Sequence, residues 1–197
     1  MSSVWTLASG NPGKLAEFRA LFAGTSIELK TLTPGSGEIP EETGLSFVEN
    51  ALIKARHAAR LGEGPAIADD SGLCVDVLGG APGVRSARYA GPDANDGDNI
   101  DRLLRELDGI DPPARDAAFH CVIVALRSPA DPSPLIASGR WPGRILAERR
   151  GSNGFGYDPV FLDPALGRTA AELTPAEKNA LSHRGRASAE LKRLLAV

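Results

Sequence analysis

Val4-Trp5-Thr6-Leu7-Ala8-Ser9-Gly10-Asn11-Pro12-Gly13-Lys14-Leu15-Ala16-Glu17-Phe18-Arg19-Ala20-Leu21-Phe22 is the stretch on which the fold class turns. Residues 4–8 are apolar and β-prone and read as a strand. Ser9-Gly10-Asn11-Pro12-Gly13 is turn chemistry. Leu15, Phe18, Leu21 and Phe22 then recur at helical spacing, with Gly24 placed to end the helix. A strand followed by a Gly-rich turn and a helix is the opening of an α/β fold, and the rest of the chain repeats the alternation. Residues 65–68 read as a short buried strand running into an Asp69-Asp70-Ser71-Gly72 turn, and 73–78 as the next strand. Residues 117–126 form the most strand-like run, and further strands are expected at 135–138 and 143–147.

Helices are marked by their starts. Ser46 and Glu49 have capping-box spacing, and Val48, Ala51, Leu52, Ala55 and Ala59 follow at helical period, which puts Asn50 and Lys54 on the opposite, polar side. A helix is expected over 99–107, closed by Gly109. Thr174-Pro175-Ala176-Glu177 joins a capping box to a Pro at the first helical position. A last helix carries Leu191, Leu194 and Leu195. No linker longer than a loop divides the chain, so one domain over 1–197 is expected.

The 197 residues are 42% hydrophobic and 24% charged, ordinary for a globular chain. A net charge of −3 with scattered Lys and Arg offers no basic stripe, so a polynucleotide is not the expected ligand. Met1-Ser2-Ser3 lacks the start of a secretion signal, and no apolar run approaches the roughly 18 residues of a membrane span. A cytoplasmic protein away from membranes is the expectation. Cys74 and Cys121 sit in apolar runs and read as packed thiols. His57, His120 and His183 do not make a two-His helical zinc motif.

Four segments can carry chemistry. The turn around Ser9, Gly10, Asn11, Pro12 and Gly13, with Lys14, can present amides and a charge to phosphate at a helix N-terminus. It is not a Walker A loop, because only Asn11 and Pro12 separate the glycines and Leu15 follows the lysine. Glu41-Glu42 and Asp69-Asp70 are acidic pairs able to supply hard oxygen ligands and a base for water. Solvated turns are the plain alternative, but adjacent carboxylates after a buried strand are costly without a cation or lysine beside them. Phe155-Gly156-Tyr157-Asp158, in a Gly-rich loop, offers rings to stack on a base and a carboxylate to accept from it. Lys178 and Ser182-His183-Arg184 gather donors suited to phosphate or a carbonyl edge. Asp93, Asp96, Asp98 and Asp101 do not match a calcium loop, since Gly97 stands fifth rather than sixth from Asp93, and read as a solvated loop.

Taken in order, these segments resemble the inosine triphosphate pyrophosphatase family, the non-canonical purine nucleoside triphosphate pyrophosphatases, in its bacterial form. Ser9-Gly10-Asn11 with Lys14 and Glu17, Glu41-Glu42-Thr43-Gly44 through Glu49-Asn50-Ala51 with Lys54-Ala55, and Ala68-Asp69-Asp70-Ser71-Gly72-Leu73 carry the first half of the likeness. Gly80-Ala81-Pro82-Gly83 with Ser86-Ala87-Arg88-Tyr89, residues 154–159, and Ser182-His183-Arg184 carry the second.

The resemblance implies an elongated α/β fold, a mixed sheet with flanking helices and two lobes around a central nucleotide-binding cleft, and a homodimer. It also implies hydrolysis of ITP, dITP and XTP to monophosphate and pyrophosphate, with Mg2+. Asp70 would be the general base or water-orienting carboxylate and a magnesium ligand, and Glu41 the other acidic ligand, with Glu42 or Asp69 able to assist. Ser9, Gly10, Asn11, Lys14 and Ser71 would lie at the triphosphate, with Lys54 a further phosphate or carboxylate partner. Phe155, Gly156, Tyr157, Asp158, Lys178, His183 and Arg184 would hold base and sugar. A 6-oxo purine would be accepted and adenine refused. The rival readings are a non-catalytic nucleotide sensor and a related phosphatase with another base preference. Pro12, lacking an N–H, removes one donor from the first segment.

Overall fold

The structure is a computed structural model that describes residues 3–32 and 40–197; Met1 and Ser2, with which the leader reading began, lie outside the described residues. The described residues form seven strands and five α-helices, alternating in the first half of the chain. Strand β1 (Ser3–Ala8) leads into α1 (Pro12–Phe22) and β2 (Ile27–Thr31). Helix α2 (Phe47–Leu61) precedes β3 (Ala66–Val75). Helix α3 (Asp96–Glu106) is followed by β4 (Asp116–Leu126) and β5 (Leu135–Ile145). Strands β6 (Phe161–Asp163) and β7 (Arg168–Thr169) precede α4 (Pro175–Leu181) and α5 (His183–Leu195). The sheet order is β2-β1-β3-β4-β5-β6-β7. β1 pairs in parallel with β2 and β3, as α1 and α2 crossovers require. β6 pairs antiparallel with β5 and β7, so the sheet is mixed. Among the described residues no helix is long and apolar enough to cross a membrane.

The chain divides into two compact units. The first holds Met1–Asp70, Cys121–Gly139 and Arg184–Val197. Its part of β3 alternates between two cores, as a period of two demands. Ala66 and Ala68 pack with Val124, Leu126 and the α2 residues Ala51, Ala55, Ala58 and Ala59. Ile67 packs with Phe18 and Phe22 of α1, Cys121 and Ile123 of β4, and Leu191 of α5. Alanines on α2 and β3 bring that helix close to the strand, which decides which side chains reach the next residue on its face, Asp70. The second unit, Ser71–His120 with Arg140–His183, has its own core, in which Phe119, Trp141, Tyr157 and Phe161 pack with Leu73, Leu103 and Leu107.

Several sequence expectations are corrected. Asp69-Asp70-Ser71-Gly72 is not a turn between two strands: β3 runs unbroken through it, and the acidic pair is mid-strand. The expected strands at 135–138 and 143–147 are one strand, β5, in which Gly143 leaves room for the Phe161 ring; a Cβ there would meet Phe161 Cζ at 2.4 Å. Asp96, Asp98 and Asp101 are not loop residues. Asn95 caps α3 and Asp98 closes its capping box, so the helix starts before Asn99. Pro12 and Gly13 belong to α1 rather than to the turn. Strands β2, β6 and β7 carry no sequence signal of comparable strength. The two capping boxes at Ser46/Glu49 and Thr174/Glu177 form as expected.

Candidate active site

Asp69 and Asp70 point to opposite faces of β3, because neighbours on a strand alternate. Both side chains are buried. Their partners therefore come from different helices.

On the face shared with α2, Lys54 Nζ lies 2.8 Å from Asp70 Oδ1, and Asn50 Nδ2 lies 3.4 Å from Asp70 Oδ2. Asn50 and Lys54 are spaced i, i+4 and so lie one above the other, each reaching one carboxylate oxygen. The sequence placed this pair on the polar side of the helix, opposite its apolar face. The structure turns it inward, with Asn50 fully buried. Lys54 Nζ also contacts Glu42 Oε1 at 2.7 Å, so two carboxylates converge on one ammonium. Burial raises the Asp70 pKa, Lys54 opposes that rise, and Glu42 reinforces it. Burial alone would lower the Lys54 pKa, but Asp69 and Asp70 outweigh it and the pKa is raised. The ammonium therefore stays charged. Glu41, the acid singled out in sequence, has an exposed side chain, and it is its neighbour Glu42 that meets Lys54.

On the other face, Asp69 Oδ2 accepts Lys14 Nζ at 3.0 Å from α1 and Arg184 Nη2 at 3.3 Å from α5. Arg184 is itself buried and also pairs with Glu17. Burial pushes the Asp69 pKa up, but Lys14, Arg184 and Lys54 together hold it well below the carboxylate range. Cys121 also faces this carboxylate, 4.0 Å from Oδ2, and burial beside a negative charge pushes its thiol up to about 12. It is an inert packed thiol, as read from the sequence. Cys74 is partly buried, and burial raises its pKa too.

The segment from Ser9 to Lys14 is organised as a helix start. The Asn11 side chain accepts the Lys14 amide at 3.1 Å and Ser9 Oγ accepts the Asn11 amide at 3.3 Å. Pro12 has no N–H, and Gly13, early in α1, has no intrahelical acceptor for its own. The amide left to meet an anion at this end of α1 is that of Gly13, beside exposed Gly10.

The second unit positions the remaining candidates. Asp158 is buried and its Oδ2 accepts Lys178 Nζ at 2.5 Å and the Phe155 amide at 3.0 Å. Gly154 is required here, since a Cβ would stand 2.0 Å from that oxygen. The Lys178 ammonium lies 4.6 Å from the Phe155 ring centroid, a cation–π distance. The Gly156 amide donates to Asp96 Oδ2 at 2.6 Å. The two aromatic rings have different surroundings: Tyr157 is buried with its hydroxyl donating to the Ser86 carbonyl at 2.9 Å, whereas Phe155 is half-buried. His183 stacks on Phe119 with centroids 4.7 Å apart. Ser71, half-buried on β3, follows Asp70 directly. Sequence reasoning passed over Glu17 as a partner of Arg184 and Asn50 as a partner of Asp70. No local pattern marks either pairing, because both are made across the fold.

The Ham1 family model matches residues 5–194. A dITP/XTP pyrophosphatase of Methylococcus capsulatus is 60% identical over 187 residues, 94% of this chain and 92% of that protein. The dITP/XTP pyrophosphatase of Yersinia pseudotuberculosis is 55% identical over 181 residues, 92% of each. Among solved structures, a HAM1 protein from Coxiella burnetii superposes with a TM-score of 0.91 at 50% identity, covering 100% of this chain and 99% of that one. By fold, by the order of its motifs and by these matches, the chain belongs to the Ham1 family.

Proposed function

We propose that this protein hydrolyses non-canonical purine nucleoside triphosphates, dITP, ITP and XTP, to the monophosphate and pyrophosphate, and so removes them before they enter nucleic acid. The observation that carries this reading is the arrangement at Asp70: a buried carboxylate gripped by Lys54 and Asn50, with Glu42 on the same ammonium. The dITP/XTP pyrophosphatases that match most of the chain agree with it.

Asp70 orients a water for attack on the α-phosphorus and accepts its proton; the bond from that phosphorus to the bridging oxygen breaks and pyrophosphate leaves. Lys14, with the Gly13 amide and the Ser9, Gly10, Asn11 and Pro12 turn, steadies the departing phosphates, and Ser71 adds a hydroxyl. Magnesium fits this donor set, because Asp70 and Glu42 already converge on a cation and Mg2+ is commonly held by one or two carboxylates plus substrate phosphates. Held by Asp70 and Glu42, such an ion would supply neutralisation of charge on the phosphate oxygens. Glu41 remains the other acidic candidate that family resemblance suggests.

In the second unit, Phe155 stacks on the base while Asp158, Gly156 and Lys178 meet its polar edge, and Tyr157 holds the loop through Ser86. His183 serves the base edge. Arg184, buried against Asp69 and Glu17, serves by holding α5 in place. A donor facing C6 accepts the oxo group of hypoxanthine or xanthine and rejects the adenine amino group. We assign the whole of residues 1–197 to one functional domain, acting in the cytoplasm as a homodimer. Light scattering at micromolar concentration should give twice the 20.6 kDa chain mass, and the monomer mass would refute the dimer.

The experiment for the function is a time course with magnesium and matched dITP, XTP, ATP and GTP, with nucleotide products resolved. dIMP or XMP with equimolar pyrophosphate, and slow reaction of ATP and GTP, is the expected result. Diphosphate with orthophosphate, or binding without turnover, would refute it in favour of a phosphatase or a sensor.

A further inference from the structure

We propose that Asn50 is a positioning residue that fixes the Asp70 carboxylate by tying it to the turn at Gly44; the inference rests on Asp70 being the residue that acts on water. Asn50 is the fourth residue of α2, a helical position where asparagine is a poor helix former, and it is fully buried, where an amide must be hydrogen-bonded on both sides. Its Oδ1 accepts the Gly44 amide at 2.8 Å and its Nδ2 donates to Asp70 Oδ2 at 3.4 Å. A backbone N–H can only donate and an ionised carboxylate can only accept, so both contacts dictate the same amide orientation. A carboxylate in place of the amide serves the turn but not Asp70, and a hydroxyl is too short to reach both.

The turn is fitted to this bond. A Cβ on Gly44 would stand 2.7 Å from Asn50 Oδ1 and 2.5 Å from Glu49 Cβ, so the backbone approaches as only glycine permits. The same stretch is tied to α2 a second time through Glu42 and Lys54. Asp70 thus has one oxygen held by Lys54, which is anchored by Glu42, and the other held by Asn50, which is anchored by Gly44. Two oxygens fixed independently define the rotation of the carboxylate about its last bond, the variable that aims its lone pairs at a water.

The test is a cycle of Asn50→Asp, Asp70→Asn and the double variant. Asn50→Asp keeps an acceptor for Gly44 and removes only the donor to Asp70. With dITP and magnesium, its kcat should fall on the order of 10²-fold, the cost of a small misplacement at a reacting group, while KM stays within about twofold. Thermal midpoints measured without nucleotide or metal supply a second readout. Asn50→Asp lowers the midpoint by facing one carboxylate with another, and the double variant recovers it, because donor and acceptor are exchanged, yet stays inactive. If Asn50→Asp does not fold, Asn50→Ser should show the same loss in kcat with KM kept. Wild-type kcat in either variant, a change confined to KM, or midpoint losses that simply add would overturn the proposal. A wild-type enzyme that leaves dITP intact would instead refute the assigned function, and the midpoint cycle would still judge the link between Asn50 and Asp70.

Discussion

Asp69 and Asp70 are neighbours on β3 with the same carboxylate and nearly the same burial, yet the two faces of the strand treat them in opposite ways. Toward α1 and α5, Asp69 meets two cations, Lys14 and Arg184, and its pKa falls despite burial. Toward α2, Asp70 meets one cation that it shares with Glu42, and its pKa rises. A buried carboxylate contacted directly by two cations is spent on holding its partners. One with less than full compensation retains basicity and affinity for a further cation. The difference between a structural acid and a reactive one is thus set by what faces each side of one strand.

The largest effect that could break this comparison is in turnover. Asp70→Asn should lower kcat for dITP by on the order of 10³-fold, the range of a lost general base, with the circular dichroism spectrum unchanged. Near-normal turnover by the folded variant would remove Asp70 from the chemistry. Next, Asp69→Asn should lose about 3 kcal/mol in urea unfolding, because it leaves the buried Arg184 with Glu17 alone. A variant as stable as the wild type would mean that the Asp69 face carries no net charge compensation.

Smaller effects sharpen the division. Lys14 serves both sides of the account, since it neutralises Asp69 and is assigned to the phosphates. Lys14→Met should lower kcat/KM about tenfold, as loss of one charged hydrogen bond does, with a smaller stability loss than Asp69→Asn. An unchanged kcat/KM would confine Lys14 to the structural face. Last, Cys121 reports whether that face is dry. Iodoacetamide at pH 8 should label Cys74 first and Cys121 only at the rate of unfolding, as mass spectrometry of digests would show. Labelling of Cys121 as fast as Cys74 in the native protein would show that the face opens.

The sequence made the local features legible and hid those that depend on partners far along the chain. Ser46 with Glu49 and Thr174 with Glu177 mark helix starts because capping needs only residues three apart. Asp69-Asp70-Ser71-Gly72 reads as a turn because its composition is that of a turn. It is strand because Lys14, Lys54 and Arg184, from three helices, compensate charges that would otherwise expel it to the surface. Asn50 reads only as a residue of the polar helix side for the same reason, since its partners, Gly44 and Asp70, are not visible in helical periodicity. Glu41 and Glu42 cannot be told apart by spacing alone, and only the fold sets Glu42 on Lys54. The strand β5 is broken in the sequence by Gly139, Pro142 and Gly143 but continuous in the fold, where Gly143 accommodates Phe161. Motif order, in contrast, survives the loss of this detail, and the family could be read from it.

The measurement that bears most directly on the account is single-turnover cleavage of dITP by Asp69→Asn and Asp70→Asn side by side with the wild type. It should be made with magnesium at a temperature where all three are folded, counting pyrophosphate released per folded molecule. The account predicts that Asp69→Asn stays within about tenfold of wild type while Asp70→Asn falls by roughly 10³-fold. The reverse order, or equal losses in both, would contradict the assignment of the reaction to one face of β3.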